Sequence, residues 1–287
     1  MSPEDLTSFL IKRGHRVVQT ASCWWYNEYH QERVFYSYPI HRLVDPQPNE
    51  IEEVFSNASR ALALRFISPV DTKGKKSFIW VRGNPYDLND LSAKSRNQTR
   101  RGLEKCEVRK IAWDELETFA QEAHTDTMNR HHVNGAESLG FDTELAECPA
   151  YEAWGAFVDG RLAAYIVTQS VEDWVHILFH RSTNAHLKSY PNNALIFSAV
   201  KEILSRQRAL AVSYGLEPLT TLGSLEHFKL GMGFVKKPVC QRIVVTRWLK
   251  PLLNSVTCRV VEAVASLRPY NLRLQRVAGV CRLIRQS

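Results

Sequence analysis

The sequence predicts an α/β protein: a mixed sheet with flanking helices. Three observations carry this. Short runs rich in β-branched and aromatic residues recur between stretches whose apolar residues follow helical spacing. Asp159-Gly160 separates the apolar runs Tyr151–Val158 and Arg161–Gln169, the strongest hairpin signal in the chain. From Tyr190 to Phe234, a helix, a short strand and a second helix follow one another. A buried strand, a polar turn and a helix N-terminus meeting at a cleft form a natural anion and acyl-carrier site.

In chain order, Ser2 and Pro3 suit the start of a helix over Pro3–Lys12, which Gly14 stops. Arg16–Thr20, Cys23–Tyr26 and Arg33–Tyr36 read as strands, with Trp24-Trp25-Tyr26 as core or as an aromatic wall for an acceptor. Pro39, Pro46 and Pro48 mark a loop before a helix over Glu50–Ser59. Strands over Leu62–Ser68 and Ser77–Arg82 follow, joined by the turn Asp71–Gly74. Asp87-Leu88-Asn89-Asp90 opens a basic helix through Glu104, and Cys106–Ile111 is a strand. Trp113–Arg130 is amphipathic, and a polar loop runs from His131 to Pro149. After the Asp-Gly hairpin, strand alternation over Trp174–His180 places His176 and His180 on one face. Pro191-Asn192-Asn193 then forms a turn in which asparagine caps the next helix. Strand Leu210–Ser213, a helix from Gly223 to Gly231 and a closing strand Val235–Thr246 complete the pattern.

Composition narrows the function classes. The 287 residues, 44% of them hydrophobic, suffice for one large domain or two ordinary ones. Six scattered cysteines without a CxxC pair fit reduced thiols, and no histidine spacing suits a metal. No P-loop, nucleophile elbow or dinucleotide-binding glycine pattern occurs. The N-terminal stretch lacks an apolar core of signal-peptide length, and no run approaches the roughly 18 apolar residues of a spanning helix. The expected location is cytoplasmic, at most peripheral to the inner membrane face. The net charge is +7, and residues 246–287 hold eight basic residues against Glu262 alone, so the rest sums to zero. Basicity confined to a tail disfavours a whole-domain nucleic-acid footprint.

The segment from Leu91 to Val245 resembles the GNAT-type catalytic domain of Fem-type peptidoglycan-bridge transferases and of acetyltransferases of polysaccharide and lipid biosynthesis. The matching residues are the basic stretch Ser95-Arg96-Asn97-Gln98-Thr99-Arg100-Arg101-Gly102, the Gly155–Ser170 hairpin, Tyr190-Pro191-Asn192-Asn193 opening a helix, and Phe228-Lys229-x4-Phe234. The resemblance implies a GNAT-like mixed sheet in two unequal halves. These are a shortened, divergent copy over residues 1–90 and a catalytic domain over 91–246, with a basic amphipathic helical tail over 247–287. It also implies an N-acyltransferase that moves an acetyl or other acyl group from acyl-CoA to an amine. The acceptor amine would sit on a sugar, a peptide or a lipid-linked precursor. Fem-type transferases take an aminoacyl group from tRNA, so that donor stays open, as does a non-catalytic GNAT-like binding role.

Acyl transfer needs a held carrier, a stabilised oxyanion and a deprotonated nucleophile. Tyr190, Asn192, Asn193 and Phe228 are the expected carrier-binding residues, although the glycines of a usual pyrophosphate turn are missing and Pro191 lacks a donor. Lys229 is the expected oxyanion partner. An ordinary lysine near a helix C-terminus is also favourable by dipole alone. Glu217, His180 and His176 are candidate bases, with Tyr214 a candidate donor; strand histidines are also common core residues. Arg96, Arg100 and Arg101, spaced at i, i+4 and i+5, are expected to grip an anionic group of acceptor or carrier. No metal is expected. In the tail, Val256, Val260, Val264 and Leu267, then Leu274, Val277, Cys281 and Ile284, form apolar stripes beside arginines. That pattern suits either contact with an anionic membrane or packing on the protein's own core.

Overall fold

A computed structural model describes residues 1–27, 33–131, 143–206, 209–218, 223–267 and 272–286. The chain forms two compact units. The first comprises Ser2–Ile79, Leu216–Thr221 and Lys237–Ser287; the second comprises Met1, Trp80–Gly215 and Leu222–Lys236. Most of the expected 91–246 domain falls in the second unit, but most of the closing strand and the whole tail belong to the first.

In the first unit, α1 (Pro3–Lys12) starts as its sequence dictates: Ser2 Oγ accepts the Asp5 amide at 3.1 Å and Pro3 occupies the first turn. Strands β1 (Val17–Gln19), β2 (Trp24–Tyr26) and β3 (Val34–Tyr38) form an antiparallel meander. Helix α2 (Pro48–Asn57) begins two residues before the expected start, because proline fits the first helical position, where its missing N–H costs nothing. It leads to β4 (Ala63–Ser68), parallel to β3, with Val34 opposite Ala63 and Tyr36 opposite Arg65. Along its other edge β4 pairs antiparallel with β11 (Val235–Val245), from Cys240 opposite Ser68 to Val245 opposite Ala63. Trp25, Phe35, Leu64 and Phe66 form a core sealed by Val54 of α2. Helix α8 (Leu272–Gln286) packs Leu283 against Ala63, Ile243 and Val245, and α7 (Ser255–Leu267) packs on α8. Strand β5 (Lys75–Gly83) is divided between the units at Ile79 and Trp80.

The second unit repeats the same topology at greater length. Strands β7 (Tyr151–Val158), β8 (Arg161–Val171) and β9 (Trp174–Ser182) form an antiparallel meander, flanked by β6 (Glu107–Lys110) along β7. Asp159-Gly160 makes the hairpin turn, both residues with positive φ. Helix α5 (Pro191–Ser205) then leads to β10 (Ala211–Leu216), parallel to β9. Strand β8 is buried along nearly its whole length, with α4 (Trp113–Arg130) and α5 packed on it. Helix α3 (Ala93–Lys105) packs on α5 and on α6 (Gly223–Gly231).

Two expected boundaries differ. The Asp87–Asp90 stretch is a separate 3₁₀ turn capped by Asp87, and α3 starts afresh with Ser92 as its cap. At α5 the cap is Tyr190, in the left-handed conformation at φ 55°, rather than an asparagine. Pro191 takes the first helical position, which pushes Asn192 and Asn193 into the helix. Of the polar loop after α4, residues 132–142 lie outside the described residues.

Gly102 fixes how closely α3 approaches α5: a Cβ there would lie 2.8 Å from the Tyr190 carbonyl oxygen and 3.1 Å from the Ala194 methyl. Gly102→Val is therefore expected to destabilise the protein by about 1–3 kcal/mol through overpacking, despite glycine's poor helix propensity. Thermal unfolding checks this, and an unchanged midpoint would show that the two helices have room to part.

Candidate functional site

Strands β9 and β10 pair in parallel for only three positions, from Trp174 opposite Ala211 to His176 opposite Ser213. Beyond that point β9 continues to Ser182 and β10 to Leu216 without each other, so the sheet opens between them. A bulge reinforces the break. Val167 of β8 faces Phe179 and Thr168 faces Ile177, which leaves Leu178 as the extra residue. Its consequence overturns the expected alternation. His176 pairs with Gln169 and His180 with Ile166, three residues apart on β8, so the two histidines lie on opposite faces. His176 is buried beside the Trp174 ring, 6.2 Å away.

His180, Tyr214, Asn192, Phe228 and Lys229 converge at the opening. The His180 Nε2 lies 2.9 Å from Asn192 Oδ1, and its Nδ1 is hydrogen-bonded to the Tyr214 hydroxyl. Asn192 Nδ2 donates to Ser182 Oγ at 3.2 Å, which fixes Oδ1 as the acceptor toward His180. Nε2 therefore carries the ring proton, and Nδ1 accepts the Tyr214 O–H. Arg130 anchors the far end, donating to Ser182 Oγ at 2.8 Å and to the Ser182 carbonyl at 2.9 Å. Burial of the imidazole, helped by the charges of Arg181, Arg130 and Lys229, lowers its pKa to about 4 against the Asn192 hydrogen bond. The ring is neutral at pH 7. Burial also raises the Tyr214 phenol well above its ordinary value, so it stays a neutral donor.

Lys229 is not a surface lysine. It is 5% exposed, and its Nζ donates to the Tyr214 carbonyl at 2.7 Å. The ammonium lies 4.5 Å from the Tyr214 ring centroid and 5.8 Å from that of Trp80. Burial lowers its pKa to about 8, with Glu226 opposing. At neutral pH the opening thus holds the desolvated Lys229 cation beside the neutral His180–Tyr214 pair. The Phe228 ring, 5.9 Å from the His180 ring, is a further wall.

The first unit shows the same strand separation, met differently among the described residues. Pairing of β3 with β4 ends at Tyr36 and Arg65. There the chain fills its own gap: the Val44 amide donates to the Ile67 carbonyl at 2.8 Å, and Ser68 Oγ donates to the Val44 carbonyl at 2.7 Å.

Other expected residues fall elsewhere. Glu217 belongs to the first unit, where its carboxylate takes Lys75 Nζ at 3.0 Å and Ser77 Oγ at 2.7 Å. Gln241 Nε2 donates to its carbonyl at 3.0 Å, so Glu217 is a paired member of a half-buried polar network rather than an open base. Asn193 is buried, with its amide nitrogen toward Met232 Sδ at 3.4 Å. The Tyr190 carbonyl takes the Asn193 and Ala194 amides at 3.1 and 3.2 Å, so two N–H groups of the expected phosphate turn are already engaged. Arg96, Arg100 and Arg101 do not act as one cationic face. Arg96 turns back to the Leu91 carbonyl, Arg101 lies over the Tyr190 ring at 5.0 Å and reaches its hydroxyl at 3.3 Å, and Arg100 is exposed. Arg130, Ser182 and Trp80 escaped the sequence reading, because each enters the site only through strand and helix packing. Among the described residues no group of three His, Cys, Asp or Glu side chains is placed to hold a metal.

No protein-family model matches the sequence, and no curated protein matches it either. Solved structures do match in fold. FemX superposes with a TM-score of 0.55 at 11% identity, over 85% of this chain and 91% of that one. The C-terminal domain of an Agrobacterium fabrum protein assigned as a lysylphosphatidylglycerol synthetase gives 0.55 at 13% identity, over 90% and 91%. L-PGS from Bacillus licheniformis gives 0.51 at 13% identity, over 95% and 98%. The chain therefore shares the mixed α/β fold of these structures.

The buried lysine makes stability pH-dependent. Its pKa is lower folded than unfolded, so between about pH 8 and the ordinary lysine value of 10.5 the unfolded chain holds a proton that the folded one has released. Stability from this group therefore rises with pH through that window. Thermal midpoints of wild type and Lys229→Met, measured from pH 7 to 11, are expected to show wild type gaining on the variant above pH 8. A constant difference would mean that Lys229 is solvated.

Proposed function

We propose that the second unit transfers an acyl group from an activated donor to an amine at the opening between β9 and β10. The observation that carries this reading is the Lys229 ammonium, desolvated and bonded to the Tyr214 carbonyl where the two strands part. As the amine nitrogen bonds to the acyl carbon, negative charge develops on the carbonyl oxygen, and a preorganised buried cation stabilises it there. Collapse breaks the bond to the leaving sulfur or oxygen. The amine's proton passes to water and the leaving atom takes a proton from solvent, while the Tyr214 oxygen, its own proton held by His180 Nδ1, accepts a hydrogen bond from the attacking amine. His180 acts by orienting Tyr214, since both its ring nitrogens are engaged and its pKa is about 4.

The donor in this reading is acyl-CoA, acetyl-CoA among its class, with Tyr190, Asn192 and Phe228 beside the acyl end. The acceptor amine belongs to a sugar, a peptide or a lipid-linked precursor. One observation favours a second donor, an aminoacyl-tRNA ester: the Tyr190 carbonyl occupies amides that a CoA pyrophosphate would need. Saturating CoA or acetyl-CoA is expected to raise the thermal midpoint if the first donor is right. No shift, together with transfer from charged tRNA, selects the second.

With either donor, Lys229→Met is expected to lower kcat by about 10²-fold or more with an intact fold. In wild type, kcat/KM is expected to fall as pH rises through about 8, when Lys229 loses its charge. Wild-type turnover by the variant would remove Lys229 from the mechanism.

A further inference from the structure

The tail answers its own sequence ambiguity unevenly. The α8 stripe is divided: Cys281 is buried and Ile284 packs with Ala63, Ile243 and Val245, whereas Val277 is exposed; Ala278 and Leu283 of the same helix are also buried. Helix α7 turns only Cys258 and Ala265 fully inward. Gln275 of α8 ties it down by donating to the Ala265 carbonyl at 2.7 Å, and Arg285 pairs with Glu262 at 3.0 Å. Among the described residues its outer stripe is uncovered. Val256 is 68% exposed, Val260 57%, Val264 43% and Leu267 81%. These residues recur at helical spacing, over about 17 Å of helix. Just before the helix, Trp248 and Leu252 are 61% and 59% exposed. Lys250 and Arg259 are exposed in the same segment.

We propose that this face of α7 docks the protein on an anionic lipid surface, with the helix lying in the plane of the headgroups. The stripe is aliphatic and presents no hydrogen-bonding pattern for a partner to read, which suits acyl chains. Charge decides between lipid and a second copy of this chain. Lys250 and Arg259 are exposed in the segment that carries the stripe, while Glu262 is engaged by Arg285, so pairing two copies through this face sets like charge against like, whereas anionic headgroups neutralise it. Among the described residues no helix is long and apolar enough to cross a membrane, so an interfacial helix is the geometry available. The inference stands on the tail alone and does not depend on the transfer reaction.

Co-sedimentation of the full chain with phosphatidylcholine vesicles, with and without phosphatidylglycerol, tests it. The protein is expected to pellet with the anionic vesicles and to be released by high salt. Val260→Asn with Val264→Asn, both at exposed positions, is expected to weaken partitioning about tenfold or more. Lys250→Gln with Arg259→Gln is expected to weaken it about fivefold per charge. The proposal is overturned if the wild type stays in the supernatant with anionic vesicles or binds neutral ones equally well. Unchanged binding of the valine variant also overturns it. A concentration-dependent dimer that the valine variant abolishes, without vesicle binding, would show instead that the face joins two copies. Should the valine variant fail to fold, the charge variant and the lipid dependence of wild type still decide.

Discussion

Three residue pairs of parallel pairing between β9 and β10, and then none, set the terms for the rest of the second unit. Backbone groups that lose a ladder partner inside a protein must find another or carry the cost of going without. The two units meet this demand differently. In the first, the Val44 backbone continues the pairing on Ile67 and closes the gap. In the second, the Tyr214 carbonyl is met by the Lys229 ammonium, and the side chains of His180, Asn192 and Tyr214 satisfy one another. A gap closed by backbone leaves no room for a substrate. A gap lined by side chains leaves chemistry.

Electrostatics then concentrates at a single point. The imidazole is neutral because burial and three nearby cations oppose its charging, and the phenol is neutral because burial opposes its ionisation. Lys229 keeps its charge there, at the expense of a pKa lowered to about 8. Desolvating a cation disfavours the fold, yet the same low dielectric strengthens its hold on an oxyanion. The Arg130–Ser182–Asn192 chain works on orientation: it sets the imidazole tautomer, which in turn aims the Tyr214 proton.

The sequence was most legible where local chemistry decides. Ser2 and Pro3 start α1, Asp159-Gly160 turns the hairpin, and the β-branched runs become strands, because caps, turns and alternation involve neighbours within a few residues. Lys229, Tyr214, His180, Asn192 and Phe228 were all visible as candidates. Three misplacements came from features that no local pattern encodes. The Leu178 bulge reverses the parity that put His176 beside His180. The left-handed Tyr190 before Pro191 moves both asparagines into the helix, giving Asn192 to His180 and Asn193 to Met232. Glu217 meets Lys75 and Gln241 because β10 gives way at Gly215 to a segment of the other unit.

The tail divides along the same line. Its two amphipathic stripes and its charge of +7 were fixed by the amino-acid order, since helical periodicity and composition need no tertiary partner. Which stripe would be covered was not. Only packing of α8 on β4 and β11 covered part of one and left the other, on α7, exposed. The same holds for the site: the sequence determined which side chains exist and the elements that carry them. The tertiary structure decided which would be desolvated and which would meet, because burial and the end of strand pairing depend on residues far apart along the chain.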